Sequence, residues 1–193
     1  SLATSGPGAT NMITGIADAY FDSIPALYIT GQVNTYEYKG EKQIRQQGFQ
    51  ETDIVSIVRP ITKYAAMVSD PLMIRFELER AWSIAITGRG GPVLLDIPMD
   101  VQRTEVDEKN LVGFETSQSN KAELRYLGSF SREALASLIA NCNRPLLLFG
   151  NGVKLSSAST AACEFAQRYG LPVVTSLLGK GSFPENNRLS VGM

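Results

Sequence analysis

Histidine does not occur in this 193-residue chain, and cysteine occurs only as Cys142 and Cys163. Without histidine, the chain itself can hold neither Ser-His-Asp or Cys-His catalysis nor a His-ligated zinc ion. Two cysteines are too few for a disulfide framework and are more typical of small core residues in a reduced compartment. We therefore expect a cytoplasmic protein.

Excess charge and long apolar runs are also lacking. The 18 basic and 19 acidic residues leave a net charge of −1, which gives no electrostatic reason to expect a nucleic-acid or membrane partner. No apolar run approaches the roughly 20 residues that span a bilayer, and we recognise no signal peptide. The hydrophobic fraction of 44% is typical of a globular protein.

Short apolar strands alternate with amphipathic helices along the chain. Strands are predicted at 24–31, 92–97, 146–149 and 172–176, with helices between them. The helix after Asp70-Pro71 carries a stripe that we expect to be buried, made of Ile74, Leu78, Ala81, Trp82 and Ala85. This alternation is typical of an α/β fold with mostly parallel sheets.

The hydrophobic pattern collapses between residues 100 and 128, where acidic and small polar residues dominate. We therefore predict two incomplete three-layer α/β domains, 1–99 and 129–193, joined by a linker at 100–128. Asp18 and Asp22 lie one helical turn apart, but they have no third ligand, so we predict no metal site in the chain.

A polar loop, residues 32–52, interrupts the first domain without helical or strand periodicity. A loop of this length is unusual enough in a compact domain to suggest a function. It ends on Phe49 and Gln50, which could line a pocket by stacking and hydrogen bonding, although a lone loop aromatic is more often part of the packing. Lys63 and Arg89 are single cations, typical of a solvated face.

Two glycine-rich turns each precede a predicted helix, and each follows the end of a predicted strand, at 2–4 for the first turn and at 146–149 for the second. Ser5-Gly6-Pro7-Gly8 is neither a Walker loop nor G-x-G-x-x-G, and it fits a tight structural turn somewhat better than a ligand-facing loop. Gly150-Asn151-Gly152 would let a backbone approach a dinucleotide phosphate, but a turn that needs positive φ explains it equally well. The chain offers no pair of titrating groups suited to general acid–base catalysis.

Taken together, these segments resemble the large catalytic subunit family of acetohydroxyacid synthase (acetolactate synthase), within the pyruvate-oxidase-like thiamine diphosphate enzymes. The matching segments follow in order at 5–11, 15–19, 22–25, 29–33, 49–53, 59–63, 91–98 and 178–184. The resemblance implies that residues 1–99 are the second half of a pyrimidine-binding domain. Residues 129–193 would be the first half of a central, Rossmann-like domain.

The resemblance also implies which residues meet cofactors and substrate. The pyrimidine ring of thiamine diphosphate would face Gly6, Pro7 and Gly8, with Asn11 opening the helix behind them, and Phe49 and Gln50 would lie at the substrate channel. In members that bind FAD, the matching positions are Ser23, Arg89, Gly150, Asn151, Gly152, Ser176 and Leu177. The family's catalytic glutamate and its magnesium–diphosphate motif lie outside these 193 residues, so we do not expect the chain alone to catalyse.

Three hypotheses for function remain open. The first is a carboligase (a transferase of branched-chain amino acid biosynthesis) that decarboxylates a 2-oxo acid such as pyruvate and joins the product to a second carbonyl. It would act as a homodimer or larger homo-oligomer, with or without a regulatory subunit. The second is a paralogous decarboxylase or carboligase with another substrate, favoured by Met99, where the family has lysine, and by the long stretch 34–48. The third is a non-catalytic nucleotide-binding or assembly module. Asn151 replaces a family glycine, which leaves FAD binding open.

Overall fold

The computed structural model describes residues 1–115 and 132–193. The chain divides into two compact units, Ser1–Leu124 and Arg125–Met193. Every strand pair in either unit is parallel, so the predicted α/β class with mostly parallel sheets is confirmed. The exact domain bounds stay a prediction, because part of the 100–128 linker lies outside the described residues.

The first unit is built on a four-stranded sheet in the order β1-β2-β4-β3. Its strands are β1 (Leu2–Ala3), β2 (Ala26–Gln32), β3 (Tyr64–Met67) and β4 (Pro92–Pro98). Every residue of β4 is buried, which is why this strand reads in the sequence as an apolar run without alternation. β2 and β4 pair along their whole length, with Thr30 beside Asp96.

Helices cover both faces of this sheet. They are α1 (Pro7–Thr10), α2 (Ile13–Phe21), α3 (Ile54–Val58), α4 (Ile74–Ile86) and α5 (Met99–Arg103). Leu94 packs with residues of α1, α2 and α3, whereas its neighbours Val93 and Leu95 pack with residues of α4. Successive side chains of a strand point to opposite faces, so the unit has three layers.

Some details differ from the sequence-based predictions. Trp82 is 59% exposed, whereas Ala81 and Ala85 are buried; the face that α4 packs on the sheet is narrower than the predicted stripe. α3 and β3 occupy a stretch where we predicted neither a helix nor a strand. The described start of the predicted linker is attached to the first unit, because the Phe114 backbone N–H donates to Glu79 Oε2 at 2.7 Å.

The second unit has a three-stranded sheet in the order β5-β6-β7. Its elements are α6 (Arg132–Ala140), β5 (Leu147–Phe149), α7 (Asn151–Leu155), α8 (Ser159–Tyr169), β6 (Val173–Thr175) and β7 (Ser190–Gly192). Gly170 ends α8 with a φ of 63°, as the sequence predicted for a helix closed by glycine. The sequence did not predict β7. Among the residues that the structure describes, no helix combines the length and apolarity needed to cross a membrane.

Candidate functional site

The Ser5-Gly6-Pro7-Gly8 turn connects the carboxyl end of β1 to α1. Gly6 is the N-cap, with φ 60° and ψ −121°, and Pro7 is the first helical residue, where its fixed φ suits the helix. A Cβ on Gly6 would lie 2.6 Å from the Gln50 carbonyl oxygen. Asn11 ends α1 instead of opening the next helix, because α1 is a single turn and α2 begins separately at Ile13.

The structure brings Gln50 to this turn, with Phe49 next to it in the chain. The Gln50 backbone lies against Gly6, and Gln50 itself has a φ of 60°, a conformation that costs a residue with a side chain. The Phe49 side chain is 82% exposed. Packing among the described residues therefore does not account for Phe49, and the pair lies on the surface beside the glycine turn.

Glu51 holds the end of the polar loop from inside. It is 8% exposed, and its carboxylate accepts hydrogen bonds from the backbone N–H groups of Lys39 at 2.8 Å, Gln47 at 2.6 Å and Gly48 at 3.2 Å. Burial raises the pKa of Glu51, but the three backbone hydrogen bonds outweigh that effect and the pKa is lowered overall. The carboxylate is therefore charged at neutral pH and binds its donors strongly.

A buried carboxylate in β4 connects the sheet to the same loop. Asp96 is 1% exposed; it accepts from Thr30 Oγ1 at 2.7 Å and from Gln32 Nε2 at 2.8 Å. Gln32 Nε2 also donates to the Thr52 carbonyl oxygen at 2.8 Å. Burial raises the pKa of Asp96 to about 6, while the hydrogen bonds from Thr30 and Gln32 oppose that rise and the charge of Asp53 adds to it.

The beginning of the polar loop is fixed by Asp100, at the start of α5. Its carboxylate accepts from the Thr35 backbone N–H at 3.0 Å and from the Thr35 hydroxyl, and the pKa of Asp100 is lowered chiefly by the hydroxyl bond. Asn34 and Glu37 close a capping box around the first turn of the loop. The loop therefore has a defined structure at both ends, although its sequence shows no periodicity.

A cavity of about 620 Å³ lies at the carboxyl ends of β1, β2 and β4. It is lined by Leu2, Ala3, Thr4, Ser5, Ile29, Thr30, Gly31, Gln32, Ile97, Met99 and Gln102. This edge of a parallel sheet is where ligands of α/β proteins bind. None of the lining side chains is charged, so the cavity favours a neutral polar ligand over a phosphate. Ser5 lines it, whereas Gly6, Pro7 and Gly8 do not.

The first-unit positions that the resemblance assigns to FAD are Ser23 and Arg89, which contact each other, and Arg89 lines a second, smaller cavity. Arg89 Nε donates to Ser23 Oγ at 2.6 Å. The cavity of about 350 Å³ is lined by Tyr20, Phe21, Lys63, Arg89 and Gly90. The Lys63 ammonium donates to the Thr87 carbonyl oxygen at 2.6 Å, and the two cations and two aromatic rings would together suit an anionic, ring-bearing group.

The second-unit positions also come together. A Cβ on Gly150 would lie 3.9 Å from Ser176 Oγ, and the two residues follow β5 and β6 at the same edge of the sheet. Gly150, Asn151 and Gly152 all have negative φ, so a need for positive φ does not explain the glycines. Leu177 is exposed. Among residues 1–115 and 132–193, no group of three carboxylate or thiol side chains could hold a metal ion.

Comparison with known families assigns the class of this protein. Residues 1–57 match the N-terminal, cofactor-binding domain of thiamine pyrophosphate enzymes, and residues 132–193 match the central domain of the same enzymes. Thiamine pyrophosphate is thiamine diphosphate under another name. The chain therefore belongs to the thiamine diphosphate enzymes, as the resemblance of its segments implied.

Within that class, the chain is similar to acetolactate synthase large subunits. It is 42% identical over 197 residues to the one from Corynebacterium glutamicum, which covers 100% of this chain and 29% of that protein. It is 42% identical to the one from Parasynechococcus marenigrum, over 98% of this chain and 30% of that protein. The large subunit from Lactococcus lactis is 38% identical, over 100% of this chain and 32% of its own length. The chain thus spans about a third of the relatives it matches.

Sequence reasoning missed the carboxylates that hold the polar loop. A signal for Asp96 was present, because a charged residue inside an otherwise apolar strand needs polar partners. Thr30 and Gln32 stand two residues apart on β2 and so share a face. Glu51 and Asp100 gave no such signal, because the partners of Glu51 are backbone N–H groups of the loop and the partner of Asp100, Thr35, lies 65 residues away in the chain.

Proposed function

We propose that the protein containing this chain is a thiamine diphosphate-dependent carboligase that decarboxylates a 2-oxo acid such as pyruvate and forms acetolactate. The contact between Gly6 and Gln50 carries the proposal. The resemblance assigns the glycine turn to the cofactor, and it assigns Phe49 and Gln50 to the substrate channel. The contact joins these two parts of the site. Similarity along the whole chain to acetolactate synthase large subunits supports the same reaction.

The residues of this chain would bind and orient, and would not themselves transfer protons. When bound, thiamine diphosphate supplies the carbanion chemistry that decarboxylation of a 2-oxo acid requires. The backbone of Gly6, Pro7 and Gly8 would approach the pyrimidine ring. Phe49 would cover the channel against water, and Gln50 would offer a hydrogen bond to the substrate. Magnesium is proposed from the resemblance alone.

FAD is a further part of the proposal. Arg89, with Lys63 beside it, would pair with the phosphates, while Ser23 holds the Arg89 side chain in place. In the second unit, Gly150 and Ser176 meet where a nucleotide would approach the backbone, together with Asn151, Gly152 and Leu177. Flavin absorbance of the purified intact protein tests this part of the proposal; a colourless protein that gains no flavin on incubation would contradict it.

The assembly and location of the intact protein are also proposed. We propose a homodimer or larger homo-oligomer in branched-chain amino acid biosynthesis, on the similarity to acetolactate synthase large subunits, and leave a regulatory subunit open. A cytoplasmic location rests on the unpaired thiols of Cys142 and Cys163. The domain division at 100–128 is proposed with them, since the two family matches lie on either side of it.

A paralogous decarboxylase or carboligase is the second candidate, and Met99 favours it. Met99 lines the 620 Å³ cavity, where no charged side chain contributes. The family's lysine supplies a cation that would attract a negatively charged acceptor substrate. With Met99 in its place, the site would favour an acceptor that carries less negative charge.

Product analysis of the intact protein decides between the two candidates. We expect acetolactate from pyruvate alone, and a mixed product when 2-oxobutyrate is added. Turnover of another 2-oxo acid without acetolactate would support the paralogue. Absence of any turnover in the presence of thiamine diphosphate, magnesium and FAD would favour a non-catalytic nucleotide-binding or assembly module.

Phe49→Ala and Gln50→Ala should impair turnover in the intact protein while leaving its melting temperature nearly unchanged. Both side chains lie outside the core, and loss of a substrate hydrogen bond costs on the order of 1–3 kcal/mol when its partner stays buried. Leu78→Ala, a packing change against the α4 core, is the matched control. It should lower the free energy of unfolding by about 2–5 kcal/mol through its cavity. Loop variants that melt as early as Leu78→Ala but turn over normally would make the pair structural.

A further inference from the structure

Gln50 is held from both sides along the chain. Two residues before it, the Gly48 backbone N–H donates to Glu51 Oε2 at 3.2 Å. Two residues after it, the Thr52 carbonyl accepts from Gln32 Nε2 at 2.8 Å. Glu51 and Gln32 are both buried, so the segment between Gly48 and Thr52 is anchored to the interior at each end.

The backbone conformation that these anchors maintain at Gln50 is unfavourable for the segment on its own. A φ of 60° at Gln50 is sparsely populated for a residue with a side chain and persists only when its surroundings impose it. The same segment packs tightly at Gly48, where a Cβ would lie 2.8 Å from Val33 Cγ1. The surroundings that impose the conformation are therefore the buried groups on either side of it.

Glu51 contributes most to this anchoring. Its carboxylate binds three backbone N–H groups across the polar loop, at Lys39, Gln47 and Gly48, and so joins the loop's middle to its end. Gln32 adds a second anchor from β2, and Asp96 holds the Gln32 amide in place at 2.8 Å. Gln32 also lines the 620 Å³ cavity, so a substitution there could affect a bound ligand directly. Glu51 does not line that cavity, so its substitution tests the anchoring separately from ligand contact.

We propose that Glu51 is a positioning residue that, with Gln32 as the second anchor, holds Gln50 against Gly6 and so fixes the position of the neighbouring Phe49. Glu51 itself need not touch cofactor or substrate. Its carboxylate keeps the backbone of the polar loop in the conformation that presses Gln50 on the glycine turn. The significance of that contact for turnover rests on the proposed function, whereas the anchoring rests on the structure alone.

The anchoring is tested by hydrogen exchange on the intact protein and its Glu51→Gln variant. An amide side chain keeps the size of glutamate but accepts from fewer donors and presents an NH₂ group to backbone N–H groups. We expect faster exchange in peptides covering residues 36–52, and unchanged exchange in peptides covering β4. Gln32→Met, which removes the second anchor, should speed exchange near residue 52. Wild-type exchange in both variants would overturn the proposal.

Two control variants separate positioning from a general loss of stability. Glu37→Gln alters a loop carboxylate that, within the described part of the chain, accepts hydrogen bonds from Asn34 alone, and Leu78→Ala lowers stability away from the loop. Glu51→Gln should raise KM for the 2-oxo acid on the order of tenfold, the effect of one lost hydrogen bond in binding, with a smaller change in kcat. The two controls should retain the wild-type KM.

The outcomes distinguish this inference from the proposed function. Equal rises in KM for Glu51→Gln and Leu78→Ala would make Glu51 merely structural. Wild-type protein without turnover of any 2-oxo acid would refute the proposed function, and the exchange measurement would still decide whether Glu51 anchors the segment.

Discussion

Gly6→Ala should be strongly destabilising and should weaken thiamine diphosphate binding. The new Cβ would lie 2.6 Å from the Gln50 carbonyl oxygen and 2.8 Å from Gln50 Cβ, at a backbone φ of 60°. Strained backbone costs about 1–3 kcal/mol and forced overpacking a similar amount, so we expect a loss of about 2–5 kcal/mol in the free energy of unfolding. Chemical denaturation and a cofactor titration on the intact protein measure the two effects.

Gly40→Ala is the matched control for this substitution. Gly40 also has positive φ, at 54°, but a Cβ there would meet nothing within 4 Å. It should therefore lose only the backbone preference, about 1 kcal/mol, and bind the cofactor normally. If Gly6→Ala behaved like Gly40→Ala in both measurements, the tight contact between the turn and Gln50 would not matter for the site.

Patterns that depend on neighbours in the sequence predicted most of the fold. The apolar run of β4 and the Gly170 stop of α8 are local signals, and both were interpreted correctly. The prediction that Trp82 is buried was wrong, because periodicity alone does not say how wide the buried face of a helix is. α3 and β3 lie in a stretch too short and too mixed in composition for either period to stand out.

The candidate site was only partly predictable, because its contacts join distant residues. The sequence marked Gly6 and Gln50 separately, and the resemblance assigned each a role. Nothing local shows that a glycine at position 6 is required by a carbonyl 44 residues later. The anchoring by Glu51 is likewise hidden, since a glutamate in a polar loop is ordinarily solvated.

Asp96 should make the protein less stable as the pH rises from about 4 to about 6. Burial raises the pKa of this carboxyl from its usual 3.8 to about 6, so in this interval the folded state binds more protons than the unfolded state. The contribution of Asp96 to the free energy of unfolding then falls with rising pH, by about 3 kcal/mol in all, and is level above the folded-state pKa. Denaturation at a series of pH values measures this fall.

Asp96→Asn isolates the contribution of Asp96, because carboxylates with lowered pKa values, such as Glu51 and Asp100, act in the opposite direction. Their stabilisation is lost as the pH falls, and it is common to both proteins. The variant's stability relative to wild type should therefore rise by about 3 kcal/mol between pH 4 and pH 7.

Thr30→Val provides a second check. It removes a hydrogen bond that favours the charged form of Asp96, so it should raise the pKa further and extend the fall to higher pH. A difference between wild type and Asp96→Asn that does not change with pH would show that Asp96 titrates alike in both states. The hydrogen bonds from Thr30 and Gln32 would then fully offset its burial.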